Sequence, residues 1–172
     1  MNSDYFYVVL ILGSNFQRSK NFKKGIKLIE KKYKLLKISR IYKSDDTTQK
    51  GRFYWNLALL LKTKKIVHLK YELVDIEKEC GRQWDSMKKI IALDIDIALV
   101  YLFQSNSAEC NILAKNIDES PYSFLSLQDI LPKKLNIKKM FSDKCELVSQ
   151  VKHRKINLVS ILEISNGNRN VL

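Results

Sequence analysis

The chain has only three cysteines, Cys80, Cys110 and Cys145, odd in number and far apart. That excludes a disulfide-stapled secreted scaffold and any paired thiolate metal spacing, and it fits reduced thiols in a cytoplasmic protein. No apolar run reaches the roughly 18 residues that a membrane span requires. The amino-terminal stretch lacks a basic segment leading into a long apolar core, so no signal peptide is expected. Arginine is scarce: Arg18, Arg40, Arg52, Arg82, Arg154 and Arg169 are the only ones, and lysine carries the rest of a net charge of +13. Such a charge attracts nucleic acid, acidic lipid or polyphosphate. Lysine, isoleucine and asparagine are all abundant, however, as an AT-biased genome would produce, so charge alone points only to anionic ligands. No repeat or low-complexity linker breaks the 172 residues, and a single domain, 1–172, with a substantial core is expected.

Residues 5–12 form a nearly continuous apolar run, the pattern of a central strand buried on both faces. It ends at Gly13-Ser14-Asn15, where Ser14 and Gln17 have capping-box spacing. A helix is predicted from there to about Leu36, with Phe22, Ile26, Ile29, Tyr33 and Leu36 on one face and a solvated lysine stripe on another. A strand over 37–44, a polar loop over 45–51 and a strand over 53–63 read as a long-looped hairpin. A second helix is predicted over about 67–80, stopping at Gly81, and an exposed basic loop fills 82–92. A strand over 93–103 follows. The order is β-α-β-β-α-β, an α+β, ferredoxin-like core with both helices on one sheet face and the other face open. Beyond it lie C-terminal additions: a short apolar piece at 111–115, a helix around 124–131 and weaker elements from 146.

The run Leu93-Asp94-Ile95-Asp96-Ile97 alternates acids with apolar residues. In a strand this puts Asp94 and Asp96 on one face and the apolar residues on the other. Two carboxylates roughly 6 Å apart repel by about 3 kcal/mol at an effective dielectric near 20. A divalent cation held on a rigid strand would relieve that cost. Spacing alone leaves open the alternative of two solvated acids on an open sheet face.

Five landmarks then stand in order: Leu12-Gly13-Ser14-Asn15, Ser39-Arg40-Ile41-Tyr42-Lys43-Ser44, Phe53-Tyr54-Trp55-Asn56, the Ile76 to Arg82 helix end, and the Leu93 to Ile97 strand. Over residues 5–132 the chain resembles the 6-hydroxymethyl-7,8-dihydropterin pyrophosphokinase family of folate biosynthesis. The resemblance implies transfer of pyrophosphate from ATP to the hydroxymethyl oxygen of the pterin, with release of AMP. It implies two Mg2+ ions on Asp94 and Asp96, and ATP as co-substrate near Glu77 and Arg82. It implies a pterin site at Ser44, Tyr54, Asn56 and Tyr122, and catalytic cations at Arg82, Lys88 and Lys89. Taken singly, Tyr54 also fits a core residue and Asn56 a partner of loop backbone. The partners implied are small molecules, with no membrane and no nucleic acid, for a monomer in the cytoplasm.

The chain departs from the family pattern in its basic loop. Trp84 and Ile91 stand where the family carries arginine, Lys88 near the place of its tryptophan, and the segment is about one residue short. Ala114 and Ser120 replace a histidine and a further arginine, and His68 and His153 lie too far away to substitute. A charged hydrogen bond contributes about 1.5–3 kcal/mol, so three lost arginines would remove roughly 4–9 kcal/mol if independent. Lysine restores charge but not the two-pronged geometry of guanidinium. The alternative function is therefore an impaired homologue that binds pterin with an eroded ATP clamp. A nucleic-acid module is a third reading; the chain shows no glycine-aromatic strand signature, and the two acids would lie on its binding face.

Overall fold

The computed structural model describes residues 5–44, 53–83, 90–103, 110–118, 120–133, 135–136, 140–141 and 157–159. Lys88, Lys89, Trp84, Cys145, the 45–51 loop and His153 lie outside them. The described elements are β1 (Phe6–Ser14), α1 (Arg18–Lys32), β2 (Lys34–Ile38), β3 (Ile41–Ser44), β4 (Tyr54–Thr63), α2 (Leu69–Glu79), β5 (Asp94–Phe103), β6 (Cys110–Lys115), α3 (Pro121–Ile130) and β7 (Asn157–Val159). The fold is α+β, an antiparallel sheet in the order β6-β5-β1-β4-β3-β7, with β2 also on β4. No described helix is long and apolar enough to cross a membrane.

β1 is buried on both faces, as its unbroken apolar run requires. Val8, Leu10 and Leu12 join a core with Phe22 and Ile29 of α1 and Leu69, Leu73 and Ile76 of α2. Val9 and Ile11 join a second core on the opposite face, with Phe124, Leu127 and Ile130 of α3 and Phe141. Fully burying side chains of this size contributes about 1.5–3 kcal/mol each. The second core overturns the expected open face. α3 starts at Pro121, three residues earlier than the 124–131 pattern suggested, and it packs across β4 and β3.

α1 also departs from expectation, ending at Lys32 instead of Leu36. Tyr33 keeps the last helical bond, its N–H donating to the Ile29 carbonyl, but its backbone is already extended. From Lys34 the chain pairs with β4, in the register Lys34↔Lys62 to Ile38↔Leu59. Pairing along a ten-residue strand outcompetes one further helical turn, and Leu36 falls in a bulge. The expected strand over 37–44 is likewise broken at Ser39-Arg40, where the Ser39 hydroxyl accepts the Ala58 N–H at 2.8 Å.

Candidate active site

The Ser14/Gln17 spacing does not cap α1. Gln17 sits at the helix start in the left-handed region with no side-chain cap bond. Ser14 instead donates to the Ala92 carbonyl at 2.6 Å. Beside it, Asn15 donates its backbone N–H to the Ile91 carbonyl at 3.0 Å and accepts the Ile91 N–H on Oδ1 at 2.7 Å. The turn after β1 thus clasps the two residues that lead into β5. α1 seats the next one: the tip of Leu93 fills the space where a Cβ on Gly25 would stand, at 2.5 Å. Asp94 follows this doubly anchored segment.

Register then builds a polar row across the sheet. Tyr42 of β3 pairs with Asn56 of β4, Asn56 with Gly13 of β1, and Gly13 with Asp94 of β5. The next position on the same face pairs Ile11 with Asp96. Gly13 lacks a side chain at the centre of the row, where a Cβ would meet Asn56 Oδ1 at 3.6 Å. That gap forms the floor of a cavity of about 280 Å³ lined by Tyr54, Asn56, Asp94, Asp96, Asp118 and Tyr122, among others. Asn56 is buried and donates to the Ser44 hydroxyl at 2.8 Å and to the Tyr42 carbonyl at 3.4 Å. It is therefore fixed by the neighbouring strand and not by a loop. Tyr122 closes the cavity from the first turn of α3, donating to Asp118 Oδ2 at 2.8 Å; burial and this bond push its hydroxyl pKa up to about 12.

A second cavity of about 300 Å³ lies behind the acids and shares Asp94, Asp96 and Asn116 with the first. Its other polar residues are Lys70, Glu77 and Arg82. Glu77 is 2% exposed, accepts the Ile95 N–H at 2.6 Å and pairs with Arg82 Nη1 at 2.6 Å. The same Nη1 donates to Asp94 Oδ1. Burial pushes the Glu77 carboxyl up to about 7, against the pull of Ile95 and Arg82. Asp96 is also held above its usual range, by desolvation against the cavity wall and then by the charge of Asp94, with Asp118 adding to it. Among the described residues Asp96 accepts no hydrogen bond and opens to solvent.

Of the residues predicted from sequence, Asp94, Asp96, Tyr54, Asn56 and Tyr122 meet in the first cavity, and Glu77 and Arg82 line the second with the acids. Ser44 stands behind Asn56 and does not line the cavity. His68 is exposed at the start of α2. Asp118, Asn116 and Lys70 were not anticipated. Asp118 had one usable signal, its i,i+4 spacing to Tyr122 across the helix-initiating Ser120-Pro121. Ser120, where the resemblance placed a missing arginine, is the N-cap of α3, its hydroxyl accepting the Ser123 N–H.

No set of three or more His, Cys, Asp or Glu residues able to hold a metal is found among the described residues. Two carboxylates completed by water and phosphate oxygens are the habit of Mg2+, so the donor set fits that ion bound together with a substrate. Residues 9–141 match the family model described as 7,8-dihydro-6-hydroxymethylpterin-pyrophosphokinase (HPPK). No curated protein matches the chain.

Proposed function

The chain belongs to the 7,8-dihydro-6-hydroxymethylpterin-pyrophosphokinase family, and on that premise we propose that it transfers pyrophosphate from ATP to 6-hydroxymethyl-7,8-dihydropterin, releasing AMP. The observation that carries this reading is the pair of cavities meeting at Asp94 and Asp96. One offers aromatic rings and an amide, suited to a flat heterocycle; the other offers Lys70 and Arg82, suited to a triphosphate. The inner strand order β5-β1-β4-β3, with α1 and α2 on one face, we read as the ferredoxin-like arrangement.

In this reading the pterin enters between Tyr54 and Tyr122, and Asn56, held by Ser44 and the Tyr42 carbonyl, faces its ring edge. The hydroxymethyl oxygen then lies toward the carboxylates. It attacks the β-phosphorus of ATP, the bond from that phosphorus to the bridging oxygen of AMP breaks, and the hydroxyl proton passes to solvent. Asp94 and Asp96 would hold Mg2+ here, and the ion supplies charge neutralisation for the triphosphate. Arg82, which pairs with Glu77 and Asp94, would offer its guanidinium to a phosphate oxygen, and Glu77 keeps that guanidinium near the cavity. Rigid strands position the acids, and positioning is most of what phosphoryl transfer needs.

The test is AMP formation by purified protein with saturating ATP, Mg2+ and 6-hydroxymethyl-7,8-dihydropterin. The expected result is pterin-dependent AMP that vanishes in Asp96→Ala. No AMP above background in the unaltered protein overturns the reading. Pterin binding by calorimetry without turnover would instead favour the impaired homologue, which the scarcity of arginine around the second cavity keeps in view.

A further inference from the structure

Asp129 lies in the last turn of α3, at the helix end where a negative charge is disfavoured by about 0.3–1 kcal/mol. No basic residue shares that turn to offset it. The compensation comes from the sheet. Arg40 binds the Asp129 carboxylate in two-pronged fashion, Nη2 to Oδ1 at 2.6 Å and Nε to Oδ2 at 3.1 Å. The Arg40 backbone N–H donates to Oδ2 at 3.0 Å, and the Tyr42 hydroxyl donates to the same oxygen at 2.8 Å. The break between β2 and β3 serves this contact, because it leaves the Arg40 N–H outside the ladder and available to Asp129. Burial raises the Asp129 carboxyl, but the Arg40 and Tyr42 bonds outweigh it and hold it below its ordinary range.

Tyr42 is also the outer member of the polar row that runs through Asn56 and Gly13 to Asp94, and its carbonyl accepts from Asn56. Tyr122 stands at the other end of α3, on the opposite wall of the same cavity. One side chain therefore ties the wall made by β3 and β4 to the wall made by α3. We propose that Asp129 is a positioning residue that sets the gap between Asn56 and Tyr122, and so governs capture of the flat ligand without touching it. The identity of that ligand rests on the function proposed above; the tie between the walls does not.

The experiment uses the full chain labelled with 3-fluorotyrosine, with Tyr122 assigned in the fluorine NMR spectrum by Tyr122→Phe. Asp129→Asn is expected to move or broaden the Tyr122 signal. It is also expected to raise KM for the pterin about tenfold, while kcat and KM for MgATP stay within about threefold. Asp129→Glu should recover part of the loss. Tyr42→Phe keeps the buried ring, removes one bond and should give an intermediate effect; it decides the matter if Asp129→Asn does not fold. An unmoved Tyr122 signal in folded Asp129→Asn overturns the inference. So does a loss shared equally between both substrates and kcat, which marks general destabilisation. If the unaltered protein makes no AMP, the function proposed above fails and the Tyr122 signal alone judges the tie.

Discussion

The two cavities that share Asp94 and Asp96 are built by different means. On the first, three of the lining groups are held by neighbours: Asn56 by Ser44 and the Tyr42 carbonyl, the Asp94 segment by Asn15 and Ser14, and Tyr122 by Asp118. On the second, Lys70 has no ion-pair partner among the described residues, and Arg82 is committed to Glu77 and Asp94. On the proposed reading, the second cavity must rearrange more than the first when its ligand arrives. In the same reading, a chain poor in arginine holds the pterin side by backbone pairing and has few guanidinium groups for the phosphate side.

The largest effects fall on the shared acids, and they should separate. Asp94→Asn and Asp96→Asn are each expected to lower AMP formation by roughly 100-fold or more, through loss of charge neutralisation worth several kcal/mol. Their stabilities should diverge. Asp94→Asn takes an anion from the Arg82 pair and should lower Tm. Asp96 has a raised pKa and no partner among the described residues. A raised pKa means that the folded state holds the proton more tightly, so ionisation above that pKa costs stability, and a neutral asparagine removes the cost. Asp96→Asn should therefore leave Tm unchanged or raise it while activity disappears. A fall in Tm equal to that of Asp94→Asn would refute the contrast.

Glu77 gives the next effect. An ordinary glutamate releases its proton near 4.5, whereas buried Glu77 holds it to about 7. The stability linked to that proton is complete below pH 4.5, falls as pH rises through 7 and is absent above, a swing of about 3 kcal/mol. Glu77→Gln stays neutral and still accepts from Ile95. Urea titrations from pH 4.5 to 8 should show a decline in the unaltered protein that flattens in the variant; parallel curves would exclude Glu77 as the source.

How much of this could be read from residues follows the kind of order involved. β1, β4 and β5 were legible because alternation and apolar runs fix strand faces, and the same alternation put Asp94 and Asp96 together on one face. The end of α1 was not legible, since helical periodicity runs on to Leu36 while the competing pull comes from β4, about 25 residues away. Nor was the covering of the second face: Ser120, Ser123 and Ser126 interrupt the apolar pattern of α3, and two of those serines are fully buried. Lys70 has no local signature because tertiary packing alone brings it to the acids, and the one local sign of Asp118 is its spacing to Tyr122.

Lys70 separates the cavities more gently. Lys70→Ala should raise KM for MgATP about threefold to tenfold, as for a solvent-screened charge worth about 1 kcal/mol, and leave KM for the pterin unchanged. The effect should shrink as salt rises. Equal changes in both KM values would mean that the lysine does not belong to the phosphate side.

The smallest effect concerns Ser120, where the resemblance would place an arginine. Its hydroxyl caps α3 by accepting the Ser123 N–H and bonds the Ser123 hydroxyl at 2.9 Å. Ser120→Ala should cost about 1 kcal/mol of stability, the usual loss of an N-cap. Because Tyr122 lies two residues on, fraying there should raise KM for the pterin about twofold and leave MgATP unaffected. Ser120→Arg tests which side owns the position. An arginine on the phosphate side should lower KM for MgATP; loss of the cap alone should reproduce the alanine result. The cap is expected to prevail, because the helix start has been rebuilt around Ser120-Pro121, and a long cation there has no acceptor for the Ser123 N–H. A lower KM for MgATP would instead show that the clamp can be restored one arginine at a time, and that the second cavity is thinned but still shaped for its ligand.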